Sequence, residues 1–325
     1  MKKLPLVAII VSNYNGASIK YRDRPILERC LSSLKKTAYG NFKVIVADGG
    51  SKDNSKDLTE RVYRKADFIV DRQNGGFAKG NNMGIKYSIK KYNPEYFLLI
   101  NNDAWIINGD WLSKLVHLAE KDKDIGIEGC KLLYPDGSIE SAGVKELPGI
   151  KFMPRCRFER DKGQYETIEE CDCVSAPAMM IRKEVFKEIG FLDENFFNGL
   201  EDVDFFLRAK KNKIKMVYNG KVKLIHLGSF TLHNKTLGKK AVGKWSNKDY
   251  YSMRNFAYLI NKHRDYYSFK DKAISHVDRI ASTLFKTKKE KNRVSITNLK
   301  LRENLLPRIR LQVKGYFDGM RMNRK

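Results

Sequence analysis

The chain has 325 residues, 42% of them hydrophobic, enough to bury a full core in one large domain or in one domain with an appendage. Lys and Arg number 63 against 38 Asp and Glu, a formal net charge of +25, and the excess is concentrated behind Gly228, where 24 basic residues face 7 acids. No apolar run approaches the ~20 residues of a membrane-spanning helix, and five cysteines without a CxxC pair, one of them necessarily unpaired, suggest a reducing compartment and ordinary buried thiols. The basic tail points to a polyanion, nucleic acid or an anionic membrane surface, with a solvated basic face as the plainer alternative.

MKKLPLVAIIV imitates a secretory leader, but the polar SNYNG stands where a small-residue cleavage site belongs. A buried first strand at 6–11 and a cytoplasmic chain are therefore expected. FKVIVAD (42–48), ADFIVD (66–71) and EYFLLIN (95–101) read as further buried strands, being short, apolar and bounded by polar turns. Between them Ile26, Leu27, Cys30, Leu31 and Leu34 recur at helical spacing, and GNNMGIKYSIKKY (80–92) is a second helix. This alternation predicts an α/β fold with a mainly parallel central sheet flanked by helices, whose ligands sit beyond the carboxyl ends of the strands. Polar residues gather at those ends: Ser12 to Asn15, Asp48, and Asn101 to Asp103.

Farther along, GIEGCKLLYPDGSIESAG (126–143) reads as a hairpin around Pro135-Asp136-Gly137, and 151–170 as a mobile polar loop. Cys171 and Cys173 alternate along a strand-like stretch, a weak pattern for a shared metal. A strand and a helix follow in CDCVSAPAMMIRKEVFKEIG, and NGLEDVDFFLRAKKN opens another helix with Phe205, Phe206 and Ala209 facing inward. In the tail, Phe269, Ala273, Val277, Ile280 and Leu284 form one apolar helical face ahead of the basic run 286–293. That face can lie in a membrane interface or pack on the sheet.

Three groups could carry chemistry. Asp48, followed by Gly49-Gly50, can accept hydrogen bonds from a nucleobase or ribose, or simply close its turn. Gly80-Asn81-Asn82 opens a helix whose unpaired amides could meet phosphate. Asp103 and the distant His226 each end a strand-like run, and one carboxylate, one imidazole and two phosphate oxygens would suit Mn²⁺ or Mg²⁺. The acids Glu201, Asp202 and Asp204 crowd a helix start, where negative charge is favoured in any case. A carboxylate there could equally serve as the general base that an acceptor hydroxyl needs.

VSNYNG, VADGGSKDNS, NGGFAKGNNMGI, LLINNDAWI, PDGSIESAG, MMIRKEVFKEIGFLDENFFNGLEDVDFFLR and the His of KLIHLGS stand in this order. Together with YYSMRNFAYLI and KGYFDGMRMN they resemble the family-2 inverting glycosyltransferases of the rhamnosyltransferase-like branch. The resemblance spans nearly the whole chain. It implies a GT-A nucleotide-sugar-binding domain over 1–230, with a nucleotide-binding half (1–105) and an acceptor-binding half (106–230), then a basic helical extension (231–325). It further implies Asp202 as base with Glu201 holding the acceptor, and Asp103 with His226 on Mn²⁺ or Mg²⁺. Ser12, Tyr14 and Asp48 would line the nucleoside pocket, with Asn74, Gly76, Asn81 and Asn102 also binding the donor.

Three positions depart from the family pattern. Asn101 replaces the first acid of the metal motif, Gly49 a base-binding Asp, and Ala176-Pro177 a glycine ahead of the acceptor strand. The expected partners are a nucleotide-diphosphate sugar, a glycan or lipid-linked glycan acceptor and an anionic membrane at the inner face, with no nucleic acid. Two rivals make different demands. A nucleotidyltransferase needs a basic glycine-rich triphosphate loop, which SNYNGASIKYRDR supplies poorly, and a nucleic-acid-binding protein needs salt-sensitive binding without any recognition motif.

Overall fold

The computed structural model describes residues 3–228, 248–284, 288–290, 293–295 and 305–322. Its first half follows the alternation read from the sequence. Strand β1 (Val7–Asn13) precedes a small hairpin of β2 (Lys20–Tyr21) and β3 (Arg24–Pro25) and helix α1 (Ile26–Leu34). Then come β4 (Phe42–Asp48), α2 (Ser55–Val62), β5 (Asp67–Val70), α3 (Gly76–Lys91) and β6 (Tyr96–Asn101). Because side chains alternate along a strand, Val7, Ile9 and Val11 meet α1 on one face, while Ala8 and Ile10 meet α3 on the other. Burial of both faces explains the continuous apolar runs.

The second half comprises β7 (Ala104–Ile106), α4 (Trp111–Lys121), β8 (Ile125–Leu133), β9 (Ile139–Ser141), β10 (Val144–Leu147) and β11 (Lys151–Pro154). It continues through β12 (Ile168–Glu170), β13 (Ala178–Arg182), α5 (Lys183–Ile189), α6 (Glu201–Lys211) and β14 (Lys215–His226). The main sheet runs β12-β14-β8-β13-β6-β1-β4-β5, with β7 paired to β14 and β9 to β8. Strands β5, β4, β1 and β6 are parallel; β13 is antiparallel to both β6 and β8, and β8 is parallel to β14. A single reversed strand thus separates two sets that point the same way, so both sets deliver their carboxyl ends to one edge.

Two local expectations change. Residues 151–170 are not a loop throughout: β11 pairs with β10 and β12 with β14, and Lys131 and Lys223 both bond Asp161 between them. Helix α3 opens at Gly76, not Gly80, so the amides without an intrahelical partner belong to residues 76–79, that of Gly76 being taken by Asn74 Oδ1.

Behind the sheet, α7 (Lys248–Lys262) packs against α9 (Leu305–Arg321), with α8 (Phe269–Leu284) alongside. The expected apolar face of α8 does not pack inward, since Phe269 and Val277 are 88% and 65% exposed and Ala273 is exposed as well. The side chains of Ile280 and Leu284, residues 231–247 and 296–304, and part of the basic run 286–293 lie outside the described residues.

Candidate active site

The exits of β1 and β4 are braced against each other. Asn13 donates to Asp48 Oδ2 (2.6 Å), Ser51 Oγ accepts from the Asn15 amide (2.7 Å), and Asp53 Oδ2 accepts from the Ala17 and Ser18 amides. Asp48 also accepts from the Gly50 and Ser51 amides and the Ser51 hydroxyl, and it is 2% exposed. The turn-closing role is therefore filled, and a nucleoside would reach this carboxylate only by displacing one of these donors. Ser12 is half-buried and Tyr14 is exposed at the same edge. Asn102 donates to Asn13 Oδ1 at 2.7 Å, which joins the exit of β6 to that of β1. Asn13, Asn15, Ser51 and Asp53 were missed as individual sites, although their residue types are those that form turns.

Asp103 and His226 are brought together by β7. After β6 the chain folds back and pairs antiparallel with the end of β14, setting Ala104 opposite His226. The Leu227 amide donates to the Asp103 carbonyl, and Asp103 Oδ1 lies 3.2 Å from His226 Nε2. On the other side of the ring, Nδ1 is 2.7 Å from Glu140 Oε2. The sequence had not singled out Glu140, which enters on the hairpin strand β9. Burial disfavours a charged imidazole here, but the Asp103 and Glu140 carboxylates outweigh it and push the pKa of His226 up to about 10. Asn101 Nδ2 lies 3.4 Å from His226 Nε2 and completes the cluster.

The carboxylate and imidazole are groups that suit Mn²⁺ or Mg²⁺ once the imidazole has given up its proton, and a carboxylate behind the outer ring nitrogen is the usual way a ligating His is oriented. Among the described residues no group of three or more His, Cys, Asp or Glu could hold a metal by itself. Among the described residues Cys171 and Cys173 belong to no group of three or more potential metal ligands.

In the glycine-asparagine loop, Asn74 Oδ1 accepts from the Gly76 amide. Gly76 has φ +80°, and a β-carbon there would lie 1.6 Å from the Phe197 carbonyl oxygen, so only glycine fits. Asn81, by contrast, is fully buried in the second turn of α3 and donates to the Phe77 carbonyl. Its Oδ1 has no partner among the described residues, and a β-carbon on the preceding Gly80 would lie 3.2 Å from Ser12 Oγ at the end of β1.

The acids of α6 divide by environment. Asp204 is fully buried and bonded to His263, Arg208 and Lys262; burial would raise its pKa, but these partners hold it down to about 2. Glu201 is buried with Oε2 unpartnered, and burial followed by the charge of Asp202 pushes its pKa up. Burial pushes Asp202 upward as well, against the pull of the Val203 amide that donates to it. Among the described residues no hydrogen bond or ion pair links Asp202 to Asp103 or His226. A cleft of about 1110 Å³, lined by Lys123, Gly126, Arg182, Lys210 and Met216, lies at the opposite edge of the sheet, where β8 and β14 begin.

Comparison with known proteins accords with this arrangement. O-antigen biosynthesis protein RfbC of Myxococcus xanthus is 29% identical over 68% of this chain, which spans 17% of that protein. It spans 26% of a second relative at the same identity. dTDP-rhamnosyl transferase RfbF of Shigella flexneri is 24% identical, over 77% of this chain and 81% of its own. A mannosyltransferase from Pyrobaculum calidifontis, solved with GDP-Man and Mn²⁺, shares the fold with a TM-score of 0.55 at 14% identity, covering 86% of this chain and 70% of its own. The family model for glycosyl transferase family 2 matches residues 8–190, more than half of the sequence, and the chain belongs to that family.

Proposed function

We propose that the chain is a metal-assisted inverting glycosyltransferase that moves a sugar from a nucleotide-diphosphate sugar to a hydroxyl of a glycan or lipid-linked glycan. The observation that carries the reading is the Asp103–His226 pair, brought within 3.2 Å from distant parts of the chain at the strand-end edge where sheets of this type bind ligands. RfbF and the mannosyltransferase, named for a dTDP sugar and bound to GDP-Man respectively, support a nucleotide-sugar donor. Residues 1–105 form its donor half and 106–230 its acceptor half. Bound at Asp103 and His226, a divalent cation supplies Lewis-acid stabilisation of the charge on the departing diphosphate.

Asp202 carries the proton. As the acceptor oxygen forms its bond to C1 of the donor sugar, the C1–oxygen bond to the diphosphate breaks and takes its electron pair with it. The acceptor proton passes to Asp202, whose raised pKa makes it a better base than an ordinary aspartate. Glu201, pushed toward its neutral form, can donate a hydrogen bond to the acceptor without competing for the proton. Asn74 and Gly76 shape the loop facing Phe197, and Ser12, Tyr14 and Asn102 bound the donor side. Asp202→Asn is expected to lower turnover by roughly 10²–10⁴ while nucleoside-diphosphate binding survives; a variant that keeps most of its activity overturns the assignment.

The same reading includes a membrane-surface acceptor. No helix among the described residues is long and apolar enough to cross a membrane. Exposed Phe269 and Val277 on α8, and Val313 and Phe317 on α9, offer apolar contacts beside the exposed Arg310, Lys314 and Arg321.

A further inference from the structure

The segment 155–160, unassigned in the catalytic reading, presents an aromatic ring beside the Asp103–His226–Glu140 cluster. Phe158 is 58% exposed and sits at φ +70°, a left-handed conformation that an aromatic residue rarely adopts. Two backbone hydrogen bonds hold it there, Phe158 amide to Ile139 carbonyl and Ile139 amide to Glu159 carbonyl, both 2.7 Å. Ile139 precedes Glu140, so the ring is fixed to the strand that orients His226. Its inner face stacks on Tyr134, with ring centroids 5.7 Å apart and planes 10° from parallel.

Arg157 lies against both rings, 5.1 Å from the Phe158 centroid and 5.9 Å from that of Tyr134, and donates two hydrogen bonds to the Tyr134 hydroxyl. Among the described residues it has no carboxylate partner. Contact with the metal cluster is close, since a β-carbon on Gly228 would meet Tyr134 Cε1 at 2.9 Å and Glu140 Oε1 at 3.1 Å. A strained, solvent-facing aromatic ring held by its backbone, with an unneutralised guanidinium beside it, is arranged for a ligand with one apolar face and one anionic group.

We propose that Tyr134, Phe158 and Arg157 form an acceptor platform, with Phe158 under the apolar face of a sugar ring and Arg157 on a phosphate ester of that sugar. The proposal rests on the glycosyltransferase reading above and narrows its acceptor to a glycosyl phosphate or diphosphate. Tyr134 and Phe158 supply stacking area at little entropic cost, and the guanidinium provides the paired donors that phosphate oxygens accept.

Ligand-observed NMR on the full chain tests this with three probes: glucose 1-phosphate and glucose by saturation transfer, and inorganic phosphate by its displacement of glucose 1-phosphate. Glucose 1-phosphate should bind more tightly than either of the others. Phe158→Ala should weaken it roughly five- to tenfold, Phe158→Tyr should restore it, and Arg157→Gln should reduce it to the level of glucose. Phosphate binding as well as the sugar ester, insensitivity to Phe158→Ala, or no binding of any probe would each overturn the platform. Mn²⁺-dependent nucleoside-diphosphate binding, measured in parallel, should be equal in all variants. Its absence from the unmodified protein would count against the glycosyltransferase reading and leave the platform result standing on its own.

Discussion

Glu140 lies 86 residues from His226 in the chain yet within 2.7 Å of its ring. No spacing rule links an acid on a short hairpin strand to an imidazole at the end of β14, so the sequence marked Glu140 only as one residue of PDGSIESAG, without a role. Asp103 and His226 were legible because each terminates an apolar run. Glu140→Gln should keep the ring in place but weaken its hold on the metal, lowering Mn²⁺-dependent nucleoside-diphosphate affinity roughly 10–100-fold in calorimetric titration. Asp103→Ala should abolish the metal dependence of the same titration, and an unchanged isotherm would remove Asp103 from the proposed ligand set. Asp48 shows the converse limit. Its place at a strand end was legible, but the four donors filling its carboxylate come from residues whose side-chain directions only the folded loops determine.

At the scale of elements, legibility followed burial. β1, β4 and β6 announce themselves because both faces are covered, whereas β11 and β12, four and three residues long, are too short to show a period in the sequence. Helices α7 and α9 meet through two glycines one helical turn apart: a β-carbon on Gly315 would lie 2.4 Å from the Tyr250 carbonyl oxygen, and one on Gly319 would lie 2.1 Å from that of Arg254. Gly319→Val should force the helices apart at a cost of about 1–3 kcal/mol, read as a lowered denaturation midpoint and faster proteolysis of the α9 segment. Helix α7 in turn grips the segment before α6. Asn255 donates to the Asn198 and Gly199 carbonyls, Arg254 to that of Asn195, and Tyr258 and Lys262 bind Asp193. The boundary that charge alone sets near residue 230 therefore runs beside an interface that shapes the start of the candidate catalytic helix.

For the molecule as a whole, two buried acids bracket the pH range of stability. Glu128 is 1% exposed in the middle of the sheet; burial, only partly offset by the Asn219 amide, pushes it up to about 8 from the ordinary 4.5. Between those values the folded state keeps a proton that the unfolded state releases, so stability should fall as pH rises through this window. Glu128→Gln should flatten that slope in denaturant midpoints measured against pH. Asp204 acts at the other end, its contribution present above the usual 3.8 and lost as pH falls through about 2. The charge excess of the tail gives a further prediction: the protein should sediment with phosphatidylglycerol vesicles at low salt, and Phe317→Asp should reduce the bound fraction. Failure of the unmodified protein to sediment would remove the membrane from the reading. The cations on Asp204 also impose an order on synthesis. A nascent chain that has reached His226 already carries Arg208, but Lys262 and His263, which also bind the carboxylate two residues beyond the proposed base, have yet to be made. Until they leave the ribosome, α6 holds an under-compensated buried charge, so the proposed transfer activity should be absent during translation even once Asp103 and His226 are in place.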